Sequence, residues 1–76
     1  MNTVFISGKG KKNGLVISGI KIMFPASSYK ISKRWWQLKK THEIRINNLS
    51  HNMISFLHDL IETRNNQGRD LHIVVF

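Results

Sequence analysis

The stretch LSHNMISFLHDLIETRNNQG, residues 49 to 68, leaves this chain few ways to fold. Met53, Ile54, Leu57, Leu60 and Ile61 recur at helical spacing and make one apolar stripe, with Phe56 at its edge. Asn52, Ser55, Asp59, Glu62 and Thr63 lie opposite. Ser50 supplies a capping oxygen, Leu49 before it is placed to pack on Ile54, and Gly68 is a C-terminal stop. The pattern predicts one long helix over about residues 50–66. A helix apolar on one side needs an apolar layer beneath it, and much of the remaining chain reads as strands.

Met1 to Ser7 carries the strand-forming run Val4-Phe5-Ile6. Residues 8–14, GKGKKNG, break regular structure, and Asn13-Gly14 suits a hairpin turn. Val16, Ile20, Ile22 and Phe24 share one parity, so Leu15 to Phe24 reads as a second strand, with Gly19 marking a bulge and Pro25 ending it. His42 to Ile46 alternates, with Ile44 and Ile46 on one face and Glu43 and Arg45 on the other. Asp70 to Phe76 is a last strand, apolar on both parities from Ile73, as in a central or covered strand. The expected fold is α+β: a small, mostly antiparallel sheet of four to five strands, with the long helix packed on a face and a strand-helix-strand unit at the end. Seventy-six residues make one compact domain, 1–76, and a chain this short buries only about 60% of its unfolded surface. Cysteine is absent, which removes disulfides and thiolate metal sites. No apolar run approaches a membrane span, and the N-terminus lacks the charge order of a secretory signal. The expectation is an intracellular, cytoplasmic protein that does not engage a membrane.

Charge is unevenly spread. Residues 1–42 hold eight Lys and one Arg and no acid, +9, while residues 43–76 set three Arg against four acids, −1. A basic N-terminal half beside a near-neutral C-terminal half is the pattern of a polyanion-binding surface. Within the basic half, SYKISKRWWQLKK, residues 28–40, places both tryptophans among five cations. As a strand it puts Tyr29, Ile31, Lys33 and Trp35 on one face and Lys30, Ser32, Arg34 and Trp36 on the other. As a helix, Ile31, Trp35 and Leu38 align instead. The pleated-surface preference of Tyr, Ile and Trp favours the strand. Trp35 then enters the core, and Trp36 stays exposed beside Lys30 and Arg34. An exposed indole stacks a base, and Lys30, Lys33, Arg34, Lys39 and Lys40 meet phosphates around it; Trp36 equally suits a cover over the end of the core.

GKGKKNG is a second candidate contact, through Lys9, Lys11 and Lys12. It is not a P-loop, which needs Lys followed by Ser or Thr at the mouth of a helix, and glycines at 8, 10 and 14 miss the dinucleotide spacing. It reads as a solvated hairpin tip that adds charge to a wider basic surface. His58 and Glu62 lie one helical turn apart, but His51 is two turns from His58, so no metal set forms. No paired carboxylates and no nucleophile beside a base appear, so neither catalysis nor a cofactor is expected, although His42 or His72 is the residue a small ribonuclease would use. Two function classes follow. One is a small non-enzymatic protein that holds DNA or RNA on its basic, Trp-containing N-terminal surface. The alternative is a small inhibitor of the kind carried by phages or mobile elements, docking on an acidic protein surface or pairing with a sheet edge, against a host nuclease or defence complex for example. Homodimerisation is compatible with both.

Overall fold

Val4 and Ile6 alternate with Thr3, Phe5 and Ser7, and the alternation makes Asn2–Lys9 a strand, β1, with the first pair buried. The computed structural model describes residues 2–76, so Met1, which the expected first strand included, lies outside the described residues. The elements that follow are α1 (Lys11–Met23), β2 (Ser28–Ser32), β3 (Thr41–Leu49), α2 (His51–Asn66) and β4 (Leu71–Val75). They form one four-stranded sheet in the order β2-β3-β1-β4, with every neighbouring pair antiparallel. The expected α+β class and the strand-helix-strand ending therefore hold. β3 and β4 run parallel with β1 between them, and β1 and β2 flank β3 in the same way, which is the double split-βαβ, or ferredoxin-like, topology.

Register decides which face is covered. Val4 sits opposite Ile46 and Ile6 opposite Ile44, and these four share a core with Leu71 and with Ile17, Ile20, Ile54, Leu57 and Ile61 of the helices. Both helices thus lie on one face of the sheet. Phe5, Arg45 and Val74 form a row on the opposite face, which no helix among the described residues covers. Among the described residues no helix is long and apolar enough to cross a membrane.

The long helix forms as its sequence dictates. Ser50 Oγ accepts the Met53 N–H at 3.4 Å, and Ile54, Leu57 and Ile61 are buried. Met53 is more open than expected, at the margin of the stripe. Gly68, at φ +90°, closes a Schellman end in which its N–H donates to Asn65 O and that of Arg69 to Arg64 O.

Three expectations fail. Residues 8–14 are not a hairpin and 15–24 are not a strand: Gly10, at φ +90°, ends β1, and α1 starts at once, with the Gly14 N–H donating to Gly10 O at 2.9 Å. Val16, Ile20 and Phe24 share strand parity, yet they also recur every fourth residue on a helix. Burial of Ile17 and Ile20 against the sheet overrides the strand propensity of the β-branched run. Gly19 is a mid-helix residue rather than a bulge, and Ile22 points to solvent at 78% exposure. Second, the strand through 28–40 stops at Ser32, and residues 33–40 form a loop. Trp35 is therefore not a core residue: it is 91% exposed. Third, β4 is an edge strand, not a covered one, and Val74, Val75 and Phe76 are exposed.

Candidate nucleic-acid interface

Three chain segments meet at one end of the sheet, because β1 ends there while β3 and β4 begin there. Lys9 pairs with Thr41, and Gly8 pairs with Leu71. Close approaches lock the corner. A side chain at Gly8 would strike Leu71 Cδ2 at 2.7 Å and Asn13 Cβ at 2.9 Å, so the absent Cβ lets α1 settle on the strand ends. Asn13 Nδ2 donates to Lys9 O at 2.8 Å, folding the first turn of α1 back on β1. The Gly14 backbone lies against the His42 ring, whose Nδ1 is 2.7 Å from Tyr29 Oη, and that oxygen is 3.3 Å from Ser18 Oγ. This chain of contacts ties α1, β2 and β3 together behind the corner.

In front of it lies a cleft of about 740 Å³. Lys9, Lys11, Lys12 and Lys39 line it together with Arg69 from the α2–β4 turn. Lys39 extends across Gly10, and the Gly10 N–H donates to Lys40 O at 2.9 Å, so the 33–40 loop is fastened to the β1–α1 junction. The N-terminus of α1 opens at the same place. Gly10 provides no side-chain cap, and the first turn holds no acid. The first N–H groups of a helix lack intrahelical partners and carry partial positive charge, so backbone and side chains present the same sign here. Asp70 is the one acid in the lining, and it lies 3.8 Å from His72 Nε2. No other carboxylate among the described residues lies within 4.0 Å of a basic side chain, so no described Lys or Arg is matched to a carboxylate.

The loop beside the cleft displays its aromatic residues. Trp35 and Trp36 meet edge to face with ring centroids 5.6 Å apart, and the Arg34 guanidinium stands 5.3 Å from the Trp36 ring centroid. Trp36 is 58% exposed. The Gln37 N–H donates to Arg34 O in a tight turn that holds this group.

Four of the nine candidate residues read from the sequence line the cleft. Lys9, Lys11, Lys12 and Lys39 share the cleft, and Lys33, Arg34, Trp36 and Lys40 stand on the loop fastened to it. Lys30 does not join them. It faces outward on β2, in a shallow hollow with Phe5, Glu43 and Arg45, and because the strand ends at Ser32 it does not share a strand face with Arg34 and Trp36. Sequence reasoning missed Arg69 and Trp35. Gly68 was legible as a helix stop, but the position of the next residue beside Lys12 depends on β4 pairing with β1, which no local pattern encodes. No three His, Asp or Glu side chains among the described residues approach closely enough to hold a metal ion. No protein family, curated protein or solved structure matches this chain.

Proposed function

We propose that this is a non-catalytic nucleic-acid-binding protein that grips phosphates in the cleft between β1 and α1 and stacks a base on the Trp35–Trp36 loop. One observation carries the reading. Cations distant in sequence, at 9–12, 39 and 69, gather around an uncapped helix N-terminus, and none is matched to a carboxylate. Gathering like charges costs free energy in the isolated protein, and a polyanion recovers it by releasing its own condensed counterions. The exposed indoles beside the cleft favour unpaired strands, because a base must leave its duplex partner to stack on a side chain.

The test is a titration of labelled single- and double-stranded oligonucleotides across salt concentrations. If the five cleft cations each meet one phosphate, log affinity falls against log salt with a slope of about −3.5 for a single strand, roughly a hundredfold between 50 and 200 mM salt. Single strands should bind more tightly than duplexes of equal length. Absence of binding to any oligonucleotide at low salt would refute the proposal.

A further inference from the structure

The helical face of the molecule carries an apolar groove that the core does not close. It runs between α1 and α2, has a volume of about 490 Å³, and is walled by Leu15, Val16, Ile20 and Met23 on one side and Phe56 and Leu60 on the other. Leu15 is 67% exposed and Phe56 46% exposed, so the groove holds apolar surface that folding has not removed from water. Gly19 lines it, and a Cβ there would meet nothing within 4 Å, which leaves open space along the middle of the α1 wall. At one end stand Lys12, Arg64 and Arg69, and no carboxylate lines the groove. Arg69 Nε is buried without a hydrogen-bond partner.

We infer that this groove docks a helical segment of a partner protein, apolar along one side and carrying carboxylates at one end. The walls are mainly aliphatic, with Met23 among them, and such adaptable surfaces receive the apolar ridge of an amphipathic helix rather than a flat base. From Lys12 to Met23 the α1 wall runs roughly 16 Å, enough for three turns of a docked helix. The three cations fix the polarity of the segment: its carboxylates lie over the N-terminus of α1 and the C-terminal turn of α2. A second copy of this chain is the wrong occupant on charge, since each copy carries +8 and would bring its own cations to a cationic rim. Lys12 and Arg69 stand on the border and line both the groove and the cleft, whereas Leu15, Val16, Gly19, Ile20, Met23, Phe56, Leu60 and Arg64 line the groove and not the cleft, so the inference rests on walls that nucleic acid in the cleft does not use.

A displayed library of random 16-residue peptides, selected on the intact protein, tests this. Enriched sequences should carry apolar residues at i, i+3 or i+4 and i+7, with Asp or Glu clustered towards one end. Synthetic copies should lose most of their affinity for the Gly19→Phe variant, which fills open space without crowding the core, and for Leu15→Glu, which sets a like charge on an exposed wall position. Arg64→Glu should weaken them by about tenfold or more, the effect of losing one charged hydrogen bond. Oligonucleotide binding by Gly19→Phe should be unchanged, which separates failure of the groove from failure of the cleft. The inference is overturned if no sequence is enriched, if enriched sequences lack acids, or if they bind both groove variants as well as the parent protein. It is also overturned if sedimentation shows a dimer, or co-sedimentation shows binding to anionic vesicles, that Gly19→Phe abolishes.

Discussion

Two glycines of α1 provide a sharp test of the packing, because the same substitution should have opposite effects at each. Gly14 and Gly19 are both helical, and neither has a positive φ, so alanine fits the backbone at both. Replacing a helical glycine by alanine gains about 0.5–1 kcal/mol. At Gly19 nothing opposes that gain, and Gly19→Ala should raise stability by about that amount. At Gly14 the new methyl carbon would lie 2.6 Å from two atoms of the His42 ring and 2.9 Å from a third. The ring must move by about 1 Å to reach ordinary contact distance, yet it is held by Tyr29 Oη at 2.7 Å. Overpacking of this kind costs about 1–3 kcal/mol, and a strained or lost Tyr29–His42 hydrogen bond adds about 0.5–1.5 kcal/mol. After the propensity gain, Gly14→Ala should destabilise by about 0.5–4 kcal/mol. Thermal or urea unfolding followed by circular dichroism measures both variants, and in a domain of this size each kcal/mol moves the midpoint by about 4–8 °C. Equal shifts of the same sign would show that His42 does not pack on Gly14, and the account of how α1 is seated would be wrong.

Leu57 lies fully buried between α2 and the sheet, so Leu57→Ala should cost about 2–5 kcal/mol in the same assay, and a loss near zero would place the wrong face of α2 inward. Neutralising Lys11 and Lys12 together as glutamine should make the salt slope of single-strand binding shallower by about 1.4. Trp36→Ala should leave that slope unchanged while weakening single-strand binding by about 1–3 kcal/mol, and an unchanged affinity would remove the loop from the interface.

The sequence was most legible where one element carried all its own signals. For α2 the Ser50 cap, the stripe through Leu57 and Ile61 and the Gly68 stop agree, and the helix appears where they place it. α1 was hidden because its local preferences oppose its final state. Gly14 and Gly19 weaken a helix, Val16, Ile17, Ile20 and Ile22 prefer strands, and only the sheet surface that Ile17 and Ile20 cover reverses the balance. Reading the chain there as a hairpin also concealed the chemistry, since lysines on a hairpin tip are solvated charges, whereas the same lysines at an uncapped helix start face a cleft. Among the candidate residues, Lys9, Lys11, Lys12 and Lys39 could be named from charge, but their meeting with Arg69 follows from β1 lying beside β4, a pairing that joins Gly8 to Leu71 and Val4 to Val75, far apart in the chain.

The position of β1 bears on how the molecule comes into being. It precedes every other described element and is a central strand of the sheet, yet both its neighbours come much later in sequence: β3 begins at Thr41 and β4 at Leu71. During synthesis Val4 and Ile6 therefore lack either native partner strand until β3 has been made, and one side of β1 stays open until residues 71–75 follow. Contacts this distant in sequence slow folding, because loop closure must come before the contacts that reward it. The order of translation thus keeps an apolar strand waiting for its last partner, and a released chain cut short before residue 71 would leave β1 as a bare edge of the sheet.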